Sequence, residues 1–405
     1  MKPIVRAGRM KPVHSDIRGP LFVEAMNRQK QGIDILKLNT GNPATFGFGL
    51  PDSIKNALME HMQDGVGYCD FKGMPQARQA ICDYETSKGI KGITPDDVFI
   101  GNGVSEVVSF ALTPLLNDGD EVLVPSPSYS LWGNSVYLED GKPVFYTCDE
   151  QANWYPDIQD IRSKITDKTK AIVIINPNNP TGVLYPKEIL LEIIQVAREF
   201  GLLIFADEIY DRLVMDGKQH ISLASLTEDV PVITLNGLSK SHCLCGYRCG
   251  WMVISGPREL TEDYRQGIIQ LTSLRLCANT MAQIVIPAAL DDMDTPTSMV
   301  QPGGRIYEQR EATVRELEKI DGLSFVKNDA AFYVFPKLDV KKFNITNDKQ
   351  FAHDLLDATN ILLVPGSGFD WKDPDHFRIV MLPQADILSD AIRRMGTFLD
   401  GYKQK

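Results

Sequence analysis

Residues 171–208 read AIVIINPNNPTGVLYPKEILLEIIQVAREFGLLIFADE, and this stretch decides the fold. Its opening run, AIVII, is β-branched and apolar without alternation, which suits a strand covered on both faces of a parallel sheet. Residues 186–201, PKEILLEIIQVAREFG, begin on proline, repeat apolar residues at helical spacing and end on glycine, which predicts an amphipathic helix. LLIFADE at 202–208 is a second buried run. Strand, helix and strand in that order form the unit from which parallel sheets are wound.

The same texture continues outward in both directions. VFI at 98–100 precedes the periodic VSEVVSFALTPLLN and then EVLVPSP at 121–127, while VITLNG at 232–237 and GWMVIS at 250–255 follow. These runs predict an α/β domain with a mostly parallel sheet. After about residue 300 the pattern changes to PGGRIYEQR, FYVFPKL at 332–338, ILLVPG at 361–366, HFRIVM at 376–381 and a closing helical stretch, which predicts a smaller α+β domain. The expected division is 1–45 as a turn-rich segment packing on the small domain or a partner subunit, 46–300 as the large domain and 301–405 as the small one.

Bulk properties narrow the function. A chain of 405 residues supports two cores, and 43% hydrophobic with 23% charged residues is ordinary for a globular enzyme. A formal charge of −11 disfavours phosphate backbones, so nucleic acid is not an expected partner. Seven scattered cysteines fit reduced thiols, and the six histidines form no metal spacing. The start, MKPIVRAGRMKPVHSDIRGP, has no apolar segment of the secretory type, and no apolar run is long enough for a bilayer. These features predict a cytoplasmic protein without membrane contact. No repeat or low-complexity tract is visible.

Parallel sheets present ligands at the carboxyl ends of their strands, so the residues just after each run are the ones to inspect. Lys240 follows VITLNGLS, where burial would lower an amine's pKa toward nucleophilic, Schiff-base use; an ordinary loop lysine is the plainer reading. Asp207 ends its strand, where a carboxylate needs a cation such as a protonated ring nitrogen, or else serves as a cap. Tyr210 stands three residues on, as a cofactor ligand or a core tyrosine.

NPNNPTG at 176–182 takes a proline-fixed path that holds Asn179 as a neutral donor, and GNGVSE at 101–106 opens a helix that can face a phosphate. Glu106 stands where a dinucleotide fingerprint needs its third glycine, so nicotinamide binding is disfavoured. Tyr129 could stack on a ring, Arg248 could reach a phosphate, and Arg378 could grip a carboxylate in fork geometry. Singly, each has a structural alternative.

Together, NPNNPTG, ADEIY, LSK, GYRCG and HFRIV in this order resemble the fold-type I, class I aminotransferases across nearly the whole chain. DIRGP at 16–20, LNTGNP at 38–43, GYCDFKG at 67–73, IGNGVSE, PGGRIYEQR and PDHFRIV are similar to the glutamate-pyruvate (alanine) branch found in bacteria. The resemblance implies a large domain with a mostly parallel seven-stranded sheet, pyridoxal 5'-phosphate as cofactor, and ping-pong transfer of an amino group between alanine/pyruvate and glutamate/2-oxoglutarate. Lys240 would bond the cofactor and move the proton, Asp207 would hold the ring nitrogen, Asn179 and Tyr210 would bond the ring oxygen, and Tyr129 would stack.

By the same resemblance, Gly103, Val104, Ser105, Ser239 and Arg248 would hold the phosphate, joined by Tyr68 of a neighbouring subunit, which implies a homodimer with shared active sites. Gly41, Asn179 and Arg378 would bind the α-carboxylate. Arg18 is the candidate for the side-chain carboxylate of glutamate, or a surface arginine. Gly237 stands where many relatives carry a hydroxyl, which removes one phosphate ligand. Cys243, Cys245 and Cys249 read as small fillers. Rival readings are an aminotransferase of other substrate range, a carbon-sulfur β-lyase, the effector module of a regulator, and, most weakly, a dehydrogenase.

Overall fold

A computed structural model describes residues 2–405. Its centre is one sheet whose strands, in chain order, are β1 (Val98–Asn102), β2 (Glu121–Ser126), β3 (Lys142–Asp149), β4 (Tyr155–Pro156), β5 (Thr169–Ile175), β6 (Leu203–Asp207), β7 (Val232–Gly237) and β8 (Cys249–Ser255). Their spatial order is β1-β8-β7-β6-β5-β2-β3-β4. Pairs β7·β6, β6·β5, β5·β2 and β2·β3 are parallel, whereas β8 runs against both its neighbours and β4 runs against β3. The expected seven-stranded sheet is thus present, extended at one edge by the two-residue β4. β3 lacks a continuous apolar run because KPVFYTCD has one partly covered face.

Burial on both faces is visible in the alternation of side chains. Leu123, Ile172, Ile174, Ile204 and Ala206 join Leu190, Ile193, Ile194 and Ala197 of the helix Lys187–Phe200. Val122, Val124, Ala171, Val173, Leu203 and Phe205 point the other way, onto Val107, Val108 and Ala111 of the helix Val104–Leu112 and Ile268 of the helix Arg258–Arg275. Both faces of the strands therefore leave water, which explains their unalternating sequence.

A separate core gathers the C-terminal part, where Phe351, Leu355, Phe377, Ile379, Leu388, Ile392 and Met395 pack together with Leu38. Leu36–Lys37 pairs in parallel with Ile361–Leu362, and Ala25 and Ile35 pack on Leu356 and Leu362. The strand Phe377–Val380 lies between Tyr333–Val334 and Val364–Pro365, all antiparallel. Among the described residues no single helix is long and apolar enough to cross a membrane.

The topology positions the site. β1, β2, β5, β6 and β7 point the same way, so Gly103, Tyr129, Asn179, Asp207 and Lys240 all follow strand ends on one edge of the sheet. Arg248 immediately precedes antiparallel β8 and so begins at that same edge.

Candidate active site

Lys240 lies in the short helical turn Leu238–Ser241 after β7, and its Nζ donates to the Gly41 carbonyl at 2.9 Å. Arg378 is fully buried on its strand; Nη1 donates to Asn179 Oδ1 at 2.9 Å and Nη2 to the Asn39 carbonyl at 2.5 Å. The tripeptide Asn39–Gly41 therefore bonds the amine and the guanidinium at once. Arg378 is also flanked by two rings, its guanidinium carbon 4.5 Å from the Tyr333 centroid and 4.6 Å from that of Phe369. Its Nε–H has no partner, so this buried cation keeps spare donor capacity of the kind a carboxylate receptor requires.

Asp207, at the end of β6, accepts from Trp132 Nε1 at 3.1 Å and more weakly from the Ile209 amide at 3.4 Å. Burial pushes its carboxyl up to about 6, with the Trp132 bond opposing and the Glu208 charge reinforcing that rise. A buried acid in this state gains most from a cationic ligand. Tyr210 donates to the Tyr333 hydroxyl at 3.0 Å and accepts from Asn179 Nδ2 at 3.5 Å, so Asn179 touches both the arginine fork and the phenol. The NPNNPTG segment that carries Asn179 contains cis bonds before Pro177 and Pro180.

Lys240 departs from the sequence expectation in one respect. Burial does press its pKa down, but Tyr333, Cys245 and Tyr129 outweigh that effect and leave it above the usual lysine value. The ammonium form is favoured in the cofactor-free chain, and the Gly41 carbonyl is its acceptor. Cys249 is a buried filler as expected, whereas Cys243 is only partly buried; burial pushes each thiol up to about 12. Cys245 is not a filler: its Sγ stands 4.0 Å from Lys240 Nζ and donates to the Ser239 carbonyl at 2.9 Å, so it lines the site.

The phosphate cup is tested by its glycines. Gly103, at φ +87°, caps the helix Val104–Leu112, and a Cβ there would meet Arg248 Nη2 at 2.2 Å. Arg248 itself donates to Ser105 Oγ at 3.1 Å. An arginine folded over a helix N-terminus, with backbone N–H groups of Val104 and Ser105 beneath it and Ser239 beside Lys240, is the donor set that a phosphate monoester needs. A Cβ on Gly237 would come within 2.6 Å of the Cys249 carbonyl, so the missing hydroxyl follows from close approach of β7 and β8. The donors and the buried acid fit pyridoxal phosphate.

Two expected residues lie apart from this cluster. Tyr68 is 84% exposed, and Arg18 is exposed at the end of the turn Asp16–Arg18. Arg18 is nonetheless tied to the site through the backbone, because Asn39 Nδ2 donates to the Ile17 carbonyl while the Asn39 carbonyl serves Arg378. Trp132, Tyr333 and Asn39 were not singled out in the sequence. A tryptophan in an apolar helix start carries one N–H that must find a partner, which is the signal that could have marked Trp132.

Residues 33–392 match the model of the family described as aminotransferase class I and II. The glutamate-pyruvate aminotransferase AlaA of Haemophilus influenzae is 49% identical, with all of both chains covered. The alanine aminotransferase of Mycobacterium tuberculosis is 45% identical over all of this chain and 94% of its own length. Among solved structures, an aminotransferase from Escherichia coli superposes with a TM-score of 0.98 at 46% identity over the whole of both chains. The alanine aminotransferase of Pyrococcus furiosus gives 0.92 at 41% identity, over 98% of this chain and 100% of that one.

Proposed function

The chain belongs to the pyridoxal-phosphate-dependent class I and II aminotransferases, and on that premise we propose that it exchanges the amino group between alanine/pyruvate and glutamate/2-oxoglutarate by a ping-pong route. The observation that carries this reading is the convergence of the Lys240 amine and the Arg378 fork on residues 39–41. An amine to exchange nitrogen and a receptor for the α-carboxylate stand side by side.

When bound, pyridoxal phosphate supplies an aldehyde that condenses with amines and a ring that withdraws electrons while its nitrogen is protonated. Lys240 would hold it covalently and would move the α-proton of the substrate as base and acid. Asp207 keeps the ring nitrogen charged, with Trp132 fixing one carboxylate oxygen. Asn179 and Tyr210 would serve the ring oxygen, Tyr129 would lie against the ring, and Gly103, Val104, Ser105, Ser239 and Arg248 would hold the phosphate. Arg378, Asn179 and the Gly41 backbone orient the substrate by its α-carboxylate, which leaves the α-carbon as the reacting centre.

Arg18 reads the side-chain carboxylate when glutamate is the donor. Tyr68 completes the phosphate cup of a second subunit in a homodimer, and its exposure supports that role. Residues 1–45, 46–300 and 301–405 form the N-terminal segment, large domain and small domain; the separate cores and the pairing of Leu36–Lys37 with Ile361–Leu362 support this division.

The test is a panel of amino donors against pyruvate and 2-oxoglutarate, run on protein whose visible absorbance reports bound cofactor. Alanine and glutamate are expected as the best donors. Release of ammonia and pyruvate from cystathionine without an oxo-acid acceptor would favour a β-lyase instead, and superiority of another donor would overturn the proposed specificity.

A further inference from the structure

Behind the cofactor edge, and outside it, the described residues hold a buried ionic cluster that the chemistry above does not use. Lys88 follows the helix Pro75–Ser87, and its side chain is only 12% exposed. Its Nζ lies 2.6 Å from Glu85, 2.8 Å from Glu208 and 3.2 Å from Asp211. One ammonium thus faces three carboxylates. Glu208, Asp211 and His220 are spaced as a cation site, but Lys88 is already the cation there. Other groups close the cluster: Tyr84 donates to Asp211 at 2.6 Å, Arg212 lies over the Tyr84 ring, and His220 stands 4.0 Å from Glu208.

The cluster reaches three of the strand ends that carry cofactor residues, those leading to Asn179, Asp207 and Lys240. Glu208 is the neighbour of Asp207, and Asp211 the neighbour of Tyr210. Asp211 accepts from Asn236 Nδ2 at 2.7 Å, and Asn236 Oδ1 accepts from the Gly237 amide at 2.7 Å, three residues before Lys240. His220 Nε2 lies 3.1 Å from the Asn176 carbonyl, where the NPNNPTG segment begins. We propose that Lys88 is a positioning residue for amino transfer, tying the segments of Asn179, Asp207 and Lys240 together from behind through Glu208, Asp211, Asn236 and His220.

Charge gives the tie a second consequence. The Glu208 charge raises Asp207's affinity for a proton, and Lys88 offsets that charge. Burial holds Glu85 up to about 7 against the pull of Lys88, while burial of Asp211 is outweighed by Lys88 and His220, which leave its carboxyl low. Loss of the ammonium would leave Glu208 uncompensated beside Asp207, and the ring-nitrogen partner would take a proton at higher pH.

This inference rests on the reading of the chain as a pyridoxal-phosphate aminotransferase. The experiment compares holoenzymes carrying Lys88→Met, Lys88→Arg and Asn236→Ala with the parent. It follows kcat and KM for alanine, the pH midpoint of the bound cofactor's visible absorbance, and the Kd of the apoprotein for pyridoxal phosphate. Lys88→Met and Asn236→Ala are expected to lower kcat by about tenfold with KM changed much less, to weaken cofactor binding and to move the absorbance midpoint. Lys88→Arg, which keeps the charge, should recover most of the loss.

If kcat and the midpoint stay at parent values in Asn236→Ala and in any Lys88→Met that folds, the proposal is overturned, whatever happens to Tm. Asn236→Ala cuts the link to Lys240 without exposing a buried charge, so it decides the matter even where Lys88→Met does not fold. A parent protein that neither holds the cofactor nor transfers amino groups would defeat the underlying reading as well; a competent parent with unaffected variants would defeat the positioning role alone.

Discussion

The edge of the sheet and the N-terminal segment are built on opposite plans. At the edge, Asp207 and Asn179 are buried at the ends of central strands, and Arg378 is buried on a strand of the C-terminal core; each has a hydrogen-bond partner at about 3 Å or less. Around Arg18, the turn Asp16–Arg18 buries no residue at all, and Arg18 itself is exposed. Groups common to every substrate sit where strand geometry fixes them. Arg18, proposed to accept glutamate yet stand aside for alanine, sits on an exposed turn, which would be a physical division between chemistry and choice.

The hardest blow to the rigid side is Lys240→Ala. Removing the amine proposed to bond the cofactor and carry the α-proton should lower turnover of alanine and glutamate alike, by at least about a thousandfold. Steady-state assay with both donors checks it. A variant that kept parental rates would end the comparison, because the edge would then not be the reacting region.

Next in size is the proton equilibrium of Asp207. The folded chain holds this carboxyl up to about 6, above its ordinary value, so it binds a proton more readily folded than unfolded. The cost of burying its charge is therefore absent at low pH and fully present above about 6, where a cationic ring nitrogen relieves it. Below 6 the apoprotein should lose affinity for pyridoxal phosphate by up to about tenfold per pH unit. Trp132→Phe removes the donor that favours the charged form and should move the onset of that loss to higher pH. Fluorescence titration of apoprotein across pH 5–8 reads both effects.

How far each region was legible follows from the same contrast. The buried strands declare themselves by unalternating apolar runs, and the strand-end motifs fall on one edge because parallel winding leaves them no other place. β3 escaped notice because its outward face is only partly covered. The roles of Tyr333 and Asn39 are not legible in the sequence because they arise only when the strand Tyr333–Val334 pairs with Phe377–Val380 and residues 39–41 fold over Lys240 and Arg378, contacts that reach up to 339 positions along the chain. The direction of the Lys240 pKa shift was likewise invisible, since it depends on Tyr333, Cys245 and Tyr129 gathering around the amine.

On the exposed side, Arg18→Ala sharpens the comparison. Loss of one charge-assisted contact should lower kcat/KM for glutamate by about tenfold or more and leave alanine within about twofold. Equal losses for the two donors would assign Arg18 to the fold and remove the division between the regions.

The smallest effect concerns what anchors that segment. His14 Nε2 lies 3.1 Å from Asp370 and Nδ1 lies 3.6 Å from Asp16, two residues before Arg18. Bonds to Asp16 and Asp370 raise the imidazole from 6.5 to about 9. A raised histidine pKa means that the folded state binds the proton more tightly, so this anchoring is complete below 6.5 and is lost as pH rises through about 9. The ring is half exposed, and solvent screening keeps the consequence modest. Between pH 7 and 9.5 the ratio of kcat/KM for glutamate to that for alanine should change by about two- to threefold as the turn loosens. His14→Asn should lower the ratio's dependence on pH, whereas the Lys240 and Arg378 chemistry, which both donors share, cancels from it. A ratio that stays flat in the parent and in the variant would show that the exposed turn is held by something other than this ion pair.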